Sequence, residues 1–571
     1  MTTPFSPDQA PHAAALRGLA LSAGGGIGYS TDPVFAWNRR PAEGRRVWLV
    51  SGGGSGHEPM HAGFLGEGGI DVAVPGEVFT SPHNGQVVAA VEHVAEPGAE
   101  VLLIVKNYTG DVINFAIARE RLEAKGYRVG TLVVDDDLGS EGAEVGRRGT
   151  GATVVLEKVL GAAADAGQGL EELLELGRRV GARTRSLAVA RAAHTRPGGG
   201  EGFAVESGSL EYGVGIHGET AAETIADPGV GSLVDRMVGE LLGALGHDDA
   251  ADGTGYVVMV NGLGGVSNLE LSHVAAEAAE ALRARGAGLA SLAAGTFISA
   301  LDMRGFSLTL TAADDAAWLG YWTAPHATPG LPHPRAAEEP VGADVAGSDA
   351  AVSDAAGSDA SAGPSGAPGR DAGTGARGGA SSPWLDALAE RFEGHRAALD
   401  ALDQRSGDGD MGTNIAHGVR RASERGAEGP DRELEALAGA FLDEVGGSSG
   451  PLFGLVLSEF ARAERRGEGL RRGLEAVQRA GGARPGDRTM LDALAPAAEH
   501  EDLDAAAVRA AVEGAEATKD LRGRRGRASY LGDRVLGSPD PGAVAMALML
   551  QAVAEHDGVD LAGVDAAMLL G

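Results

Sequence analysis

Residues 47–66 read VWLVSGGGSGHEPMHAGFLG, a short apolar run that passes directly into a glycine-rich loop. Three further apolar runs end in the same way: Val101–Val105 leads into KNYTGD, Leu132–Val134 into DDD, and Val257–Val260 into NGLGG. Short apolar runs followed by Gly- and Asp-rich loops are typical of strands in an α/β sheet. Because ligands of such sheets bind at the carboxyl ends of the strands, we expect a binding site in these loops.

The rest of the chain has two different textures. Residues 334–382 contain almost no large apolar side chain, and AGSDA occurs in them twice, so they bury too little surface to offset the entropy of ordering. Beyond them the patterns are helical and strand-like alternation is missing, with helices predicted at Trp384–Leu402, Leu434–Val445, Leu452–Arg465, Ala505–Leu521 and Ala543–His556.

This pattern predicts three parts. Residues 1–333 form an α/β domain of two lobes, with a break or loop near 183–201. Residues 334–382 form a flexible, disordered linker, and residues 383–571 form an all-α domain. A chain of 571 residues is too long for a single core, which agrees with this division.

Composition narrows the classes of partner. The formal net charge is -32, which argues against nucleic acid and anionic membranes, since both require basic patches. There is no Cys, so disulfides and thiolate chemistry are excluded. The N-terminal residues lack a signal-peptide pattern and no window of 18 uninterrupted apolar residues occurs, so we expect a soluble, cytoplasmic protein.

The stretch LDALDQRSGDGDMGTN, residues 399–414, gathers three carboxylates. Asp403, Asp408 and Asp410 lie within eight residues, and the interleaved glycines indicate a tight loop. Converging carboxylates repel one another, and a hard divalent cation such as Mg²⁺ removes that cost. An EF-hand does not fit, because the twelfth position of the loop is not acidic from either possible start. A solvated turn with Arg405 as ion-pair partner remains the alternative.

Other loops of this half could hold an anion. GGSSGPLFG, residues 446–454, places backbone N–H groups and two hydroxyls just before a predicted helix. Residues 482–494 and 526–543 are further Arg-, Gly- and Asp-containing loops, although for any one of these loops taken alone a helix–helix turn is the favoured interpretation. The P-loop pattern GxxxxGK[ST] is absent, so this is not a P-loop ATPase.

The α/β half carries its polar side chains after the predicted strands. His57 ends the first glycine run, Lys106 and Asp111 follow the second strand, and His217 sits in SLEYGVGIHGE, where we expect an exposed turn. A dinucleotide loop is a weak alternative for residues 51–66, because G-x-G-x-x-G does not fit cleanly and His-Glu-Pro would interrupt the helix start.

The helical half resembles the nucleotide-binding domain of dihydroxyacetone kinases, on SGDGDMGTN, GGSSGPLFG, PGDRTMLDAL and GRASYLG with DPGA in this order. The resemblance implies an eight-helix barrel with ATP at one end, and Asp403, Asp408 and Asp410 holding two Mg²⁺ ions that bridge the phosphates. It also implies a nucleotide site formed by Met411, Gly412, Thr413, Asn414, Ser448, Ser449, Gly481, Met490, Arg527, Asp540, Pro541 and Gly542. Met411 departs from the Cys, Thr or His that the family often has there.

The first half resembles the substrate domain of the same family, on SGGGSGHEPMHAGFLG, PGEVFTSP, NGLGG and TFISALDMRGFSLTL. Residues 1–50 match poorly. The resemblance implies that the His217 imidazole adds to a ketone to form a hemiaminal, with His57 and Asp111 as the acid/base pair at the reacting hydroxyl. It also implies hydrogen bonds to the substrate from Gly54, Ser55, Gly56 and Lys106.

The predicted function is therefore ATP-dependent phosphorylation of dihydroxyacetone, with ATP and Mg²⁺ as cofactors. The presence of both halves on one chain resembles the family members that exchange free ATP for ADP. We expect a homodimer, in which the linker would let the helical half reach a substrate domain, that of the partner included. Three alternatives stay open: a kinase for a four-carbon ketose such as erythrulose, a carbonyl- or nucleotide-binding regulator without turnover, and a lyase side activity on FAD.

Overall fold

The computed structural model describes residues 11–195, 205–217, 219, 221, 223–247, 254–338, 382–407, 409–427, 429–530 and 535–570. The linker predicted at 334–382 lies almost entirely outside these ranges. So does Asp408, one of the three predicted metal ligands, and the side chain of Arg527 is also outside them.

The first α/β lobe is a six-stranded sheet whose strand order is β1-β2-β4-β3-β5-β6. Strands β4, β3, β5 and β6 pair in parallel, whereas β1 and β2 add an antiparallel edge. The strands are β1 Ile27–Thr31, β2 Val34–Asn38, β3 Val47–Ser55, β4 Val72–Val78, β5 Glu100–Lys106 and β6 Arg128–Val134. The helices of this lobe are α1 Pro11–Ser22, α2 Asn84–Val94, α3 Thr109–Ala124, α4 Gly151–Asp165 and α5 Leu170–Ala182.

The second lobe is another six-stranded sheet, with the order β11-β10-β12-β7-β8-β9. Its strands are β7 Thr184–Ala192, β8 Ser209–Tyr212, β9 Glu223–Ala226, β10 Gly255–Gly262, β11 Gly288–Gly295 and β12 Arg304–Ala312. Its helices are α6 Val230–Ala244, α7 Asn268–Ala284 and α8 Ala316–Trp322. The chain passes between the lobes at Arg183, directly after α5, and β7 begins at the next residue. The first part of the break or loop expected near 183–201 is therefore a strand of this sheet.

Helix α4 lies between the two sheets. Every residue from Gly151 to Ala164 is buried, as expected of a helix that is covered on all sides. The apolar core around it includes Ile104 of the first sheet, Leu156 of α4 and Val257 of the second sheet. The two lobes therefore share a core, and α4 carries two charged residues, Glu157 and Lys158, into it.

The C-terminal part is all-α, as predicted. Its described residues form eight α-helices: α9 Pro383–Asp403, α10 Met411–Arg425, α11 Pro430–Glu444, α12 Ser449–Arg462, α13 Arg466–Gly481, α14 Leu491–Ala498, α15 Ala505–Ala517 and α16 Pro541–His556. Helix α16 is buried almost throughout. Consecutive helices pack on one another and α16 returns to α9, which closes the bundle.

Three of these helices, α10, α13 and α14, were not among the predicted ones. Helices α10 and α13 contain glycines, which weaken a helical pattern because they disfavour helix interiors. Helix α14 has eight residues and an internal Pro496. No helix within the described residues is long and apolar enough to cross a membrane.

Candidate functional site

The carboxyl end of β3 forms a glycine floor that requires the absence of side chains. A Cβ at Gly53 would overlap Lys106 Nζ, and a Cβ at Gly54 would lie 2.6 Å from the backbone of Phe79. The next two residues are tied into the fold: the Ser55 hydroxyl donates to Gly76 O at 2.7 Å, and Gly56 N donates to Glu58 at 2.9 Å. Glycines at this strand end therefore let Lys106 reach the floor of the pocket.

His57 is fully buried at the end of this floor. Its Nδ1 lies 2.8 Å from Ser299 O, so Nδ1 carries the proton and Nε2 is the acceptor. Burial lowers the pKa of His57 well below its usual value, with a further contribution from His217, so the ring is neutral at pH 7. Nε2 is buried without a hydrogen-bond partner among the described residues. Because buried polar atoms are normally hydrogen-bonded, we expect this acceptor to bind a polar group of a ligand.

His217 lies in a turn, as predicted, but the turn is not exposed. Its side chain is only 5% exposed, because rings cover it: the centroids of His57, Tyr108 and Phe79 lie 4.7, 4.5 and 5.5 Å away. Glu219 lies 3.1 Å from His217 Nδ1 and accepts the His217 backbone N–H at 3.0 Å. A proton on Nδ1, donated to Glu219, leaves the lone pair on Nε2 and makes the ring a nucleophile.

Lys106 ends β5 and Asp111 lies in the first turn of α3, and the structure brings them to 3.6 Å. Both side chains are buried. Asp111 Oδ1 is a second buried acceptor without a partner among the described residues. His57, His217, Lys106 and Asp111, named from three separate stretches of sequence, therefore meet in one buried polar pocket, which we call the carbonyl pocket.

The acidic loop of the helical half is built around Asp403. Its carboxylate accepts the backbone N–H groups of Gly409, Asp410 and Met411 at 2.9, 3.1 and 3.4 Å. A Cβ at Gly407 would overlap Asp403, so the turn requires glycine there. These bonds fold the loop back on the end of α9.

Asp410 lies in the same loop, where burial and a neighbouring negative charge disfavour its ionised form. Burial, and then the charge of Asp403, raise the pKa of Asp410 to about 7. Two neighbouring carboxylates with one raised pKa are a donor set that a divalent cation would stabilise, so the residues present fit Mg²⁺. No third His, Asp or Glu completes a metal cluster within the described ranges, from which Asp408 is missing.

A cavity of about 170 Å³ opens beside this loop. Most of the predicted nucleotide residues line it: Met411, Asn414, Ser448, Ser449, Gly481, Met490, Asp540, Pro541 and Gly542. Gly412 instead faces α9, where a Cβ would overlap Arg396 O, and Thr413 donates from its N–H and hydroxyl to Asp400 at 2.9 Å each. We call this space the nucleotide cavity.

Sequence reasoning missed several residues of this cavity. Arg488 lies beside Asp540 at 3.6 Å, is 1% exposed and donates to Val535 O and Ser538 O. Burial, opposed by Arg488, raises the pKa of Asp540 to about 7. Arg488 belongs to the motif PGDRTMLDAL, which the sequence analysis assigned to the nucleotide domain. Nothing in the spacing of that motif distinguishes this Arg from a surface cation.

Thr80 and Thr109 of the α/β half also line the nucleotide cavity. The Thr80 hydroxyl donates to Asp410 at 3.1 Å, and Asn114 donates to Gly447 O at 2.7 Å. The preceding residue, Phe79, packs on His57 and His217. One step of backbone, Phe79–Thr80, thus touches the carbonyl pocket on one side and the acidic loop on the other.

Known protein domains match both halves of the chain. The Dak1 domain matches residues 17–330 and the DAK2 domain matches residues 405–555. The chain is 38% identical to the human triokinase/FMN cyclase over 541 residues, which are 89% of this chain and 91% of the relative. The chain belongs to the dihydroxyacetone kinase family.

Two further members bear on what this family member does. An L-erythrulose 1-kinase of Mycolicibacterium smegmatis is 35% identical over 550 residues, 89% of this chain and 91% of the relative. The crystal structure of the dihydroxyacetone kinase from C. freundii in complex with AMP-PNP and Mg²⁺ matches with a TM-score of 0.54 and 29% identity, covering 97% of this chain and 99% of that one. Kinases in this family are phosphotransferases, and that complex supports ATP and Mg²⁺ as the family's cofactors.

Proposed function

We propose that this chain transfers the γ-phosphoryl group of ATP to a short ketose, with dihydroxyacetone as the first candidate, while His217 holds the ketone as a hemiaminal. The observation that carries this proposal is the adjacency of the two sites. Phe79 packs on both histidines of the carbonyl pocket, and Thr80 donates to Asp410 at the nucleotide cavity. Phosphoryl transfer depends on positioning and charge neutralisation, which such an arrangement supplies.

In the carbonyl pocket, His217 Nε2 would add to the carbonyl carbon of the ketose. The Nδ1 proton would pass to Glu219, 3.1 Å away, and from there through a water molecule to the carbonyl oxygen, which becomes the hydroxyl of the hemiaminal. A carbonyl is needed for this bond, so glycerol would not be held. The adduct fixes the far end of the substrate and leaves a terminal hydroxyl to react.

His57 and Asp111 would handle the proton of that hydroxyl. Each offers a buried acceptor that has no hydrogen-bond partner in the described part of the chain, His57 Nε2 and Asp111 Oδ1. As the hydroxyl oxygen bonds to the γ-phosphorus and the bond to ADP breaks, its proton passes to one of these acceptors. Lys106, whose Nζ lies 2.9 Å from Gly52 O, and the backbone of Gly54 and Ser55 would hold the substrate oxygens. Gly56, which the resemblance also implies, already donates its N–H to Glu58.

In the nucleotide cavity, Asp403 and Asp410, with Asp408, would hold Mg²⁺, which neutralises charge on the phosphates. Ser448 and Ser449 precede and open α12, so their N–H groups would face the phosphates, and Asn414 and Met411 would flank them. Gly481, Met490, Arg527 and the turn Asp540–Gly542 would enclose the rest of the nucleotide.

A four-carbon ketose such as erythrulose is the second candidate substrate, because the L-erythrulose 1-kinase of M. smegmatis is similar over 89% of this chain. The human relative is a triokinase/FMN cyclase, and this makes cleavage of FAD in the same nucleotide cavity a third candidate activity. Incubation with FAD and Mn²⁺ tests that activity, and the phosphorylation assay below distinguishes the ketoses.

The test is ADP release from ATP and Mg²⁺ with dihydroxyacetone, erythrulose, glyceraldehyde and glycerol. The wild type is compared with His217→Ala and with His273→Ala, an exposed histidine of α7 whose side chain is 58% exposed. We expect turnover with a ketose that falls at least 100-fold in His217→Ala and is unchanged in His273→Ala. No turnover with any of the four would overturn the kinase proposal and favour a regulator without turnover.

A further inference from the structure

A row of buried polar groups leads from Lys106 to helix α4. His61 Nε2 is 2.9 Å from Lys106 Nζ, and His61 Nδ1 is 2.6 Å from Glu157 Oε1. Ser51 completes the row, with its hydroxyl 3.0 Å from His61 Nδ1. All four side chains are buried, and none of this row except Lys106 has a part in the proposed mechanism.

The distances fix the direction of each hydrogen bond. The Ser51 hydroxyl donates to Ile104 O at 2.9 Å, so it can only accept from His61. His61 therefore carries its proton on Nδ1, shared between Glu157 and Ser51, and its Nε2 lone pair accepts from the Lys106 ammonium. Burial lowers the pKa of His61 against the opposing charge of Glu157, which agrees with a neutral ring.

This row leaves Lys106 one orientation. Two of its three N–H bonds go to Gly52 O and His61 Nε2, both at 2.9 Å. The third remains for Asp111, 3.6 Å away, or for a ligand oxygen in the carbonyl pocket. A Lys side chain has four rotatable bonds, so an ammonium held at two points is far better oriented than one held by Gly52 alone.

The position of Glu157 has no other explanation in its surroundings. It stands at the centre of α4, between the two sheets, where an ionised carboxylate is costly unless it is paired. Its one hydrogen-bonded partner among the described residues is His61, and Oε2 has none. We therefore expect Glu157 to influence the carbonyl pocket through its hydrogen bond with His61.

We propose that Glu157 and His61 are positioning residues for substrate binding: Glu157 fixes the His61 tautomer, and His61 holds Lys106 with one N–H directed at the ketose. The inference rests on the proposed function, since it assigns Lys106 to the substrate. It concerns the ketose alone, so it leaves ATP binding unaffected.

Two isosteric pairs of variants test it in the full-length chain. His61→Asn keeps an amide near the place of Nδ1, toward Glu157 and Ser51, whereas His61→Gln keeps one near the place of Nε2, toward Lys106. We expect His61→Asn to lower kcat/KM for the ketose at least 20-fold and His61→Gln to lower it less than 5-fold, with KM for ATP within twofold of wild type in both. Misplacement of a contact group by about 1 Å can cost on the order of 100-fold.

Glu157→Gln is compared with Thr153→Val, a buried position one turn earlier on α4 whose hydroxyl has no hydrogen-bond partner among the described residues. We expect Glu157→Gln to lower kcat/KM for the ketose about 10-fold and Thr153→Val to leave it unchanged, at equal melting temperatures. This pair decides the question by itself if the His61 variants do not fold.

The outcomes separate the two proposals. A wild type without ketose-dependent ADP release would overturn the proposed function. An active wild type whose His61→Asn and Glu157→Gln variants keep the ketose kcat/KM within twofold would overturn the positioning role. Equal losses in Glu157→Gln and Thr153→Val would also overturn it, since they would report packing of α4 rather than orientation of Lys106.

Discussion

At the residue scale, the chemistry of His217 depends on what surrounds its ring. Three aromatic rings cover it. Glu219 accepts hydrogen bonds from both the Nδ1 and the backbone N–H of His217. Glu219 is itself held near Arg148, at 3.9 Å, and Arg148 pairs with Asp137 at 2.7 Å. The sequence SLEYGVGIHGE contains Glu219 two positions after His217, but a spacing of two predicts no contact until the turn is known.

Glu219→Gln tests this orientation. The amide keeps the size of the side chain but loses the charge that favours a protonated Nδ1, so Nε2 becomes a poorer nucleophile. We expect about a 10-fold fall in kcat/KM for the ketose, with KM for ATP unchanged, measured by ADP release. The control is Glu277→Gln on α7, a half-buried acid far along the chain from Glu219 that pairs with His273, and it should have no effect. Equal activity of wild type and Glu219→Gln would contradict the role.

Gly53→Ala tests the close approach of Lys106. The added Cβ would overlap Lys106 Nζ, so either the ammonium or β3 must move. We expect at least a 50-fold loss of kcat/KM for the ketose and a lower melting temperature, because the Lys106 contacts to Gly52 and His61 break. Gly18→Ala in α1, where a Cβ meets nothing within 4 Å, is the control and should behave as wild type.

At the scale of elements, the nucleotide cavity is a meeting point of helix N-termini. Helices α3, α10, α12 and α16 begin at Thr109, Met411, Ser449 and Pro541. All four of these residues line the cavity. The dipole of a helix favours phosphate at its N-terminal end. Asp540 is the N-cap of α16, since its carboxylate accepts the Ala543 N–H.

The start of α2 carries a titratable cap. His83 Nδ1 accepts the Gln86 N–H at 3.0 Å, and burial lowers the pKa of His83 to about 4. The unfolded chain therefore binds the proton first, near the usual pKa of about 6.5, so stability is complete above that pH and is lost as the pH falls toward 4. Protonation also removes the lone pair that caps the helix.

His83→Asn should flatten this pH dependence, because Asn caps a helix without titrating. We expect the wild type to lose about 1 kcal/mol more than the variant between pH 7 and pH 5; this figure is below the full linkage value because the ring is partly exposed. Urea unfolding at the two pH values measures the difference. Equal losses in the two proteins would show that other groups set the acid sensitivity.

At the scale of the whole molecule, activity depends on how the α/β half and the helical half meet. Asn84 donates to Leu442 O and Asn114 to Gly447 O, both at 2.7 Å, and Ser81 O accepts the Gly447 N–H at 3.0 Å. Arg121 pairs with Asp443 at 2.6 Å, at the edge of this contact. These bonds hold the loop before α12, which supplies Ser448 and Ser449, against the α/β half.

Asn114→Leu should uncouple this contact. Asn114 is fully buried, and its loss leaves Gly447 O and the Asn84 N–H without their partner, which costs about 1–3 kcal/mol per buried group. We expect kcat to fall about 10-fold, with a smaller change in KM for the ketose, since the carbonyl pocket stays intact. Steady-state ADP release at saturating ATP measures this.

Two charge variants calibrate that result. Arg121→Ala removes a pair whose side chains are 35% and 39% exposed, so its effect on stability should stay below about 1 kcal/mol. Lys125→Ala removes an exposed pair with Glu92 inside the α/β half and should leave kcat unchanged. If Asn114→Leu resembles Lys125→Ala, the contact between the halves does not limit turnover.

The sequence alone determined the division into an α/β and an all-α half and the polar residues at the strand ends, because local apolar periodicity and loop chemistry are written in consecutive residues. It did not predict α10, α13 and α14, where glycines or an internal proline weaken the pattern. The tertiary structure decided what depends on distance in space: the burial of His217, the contact of Glu219, the row from Glu157 to Lys106, and the bond from Thr80 to Asp410. Those contacts join residues up to 330 positions apart, and only the packing of the sheets, α4 and the helical bundle brings them together.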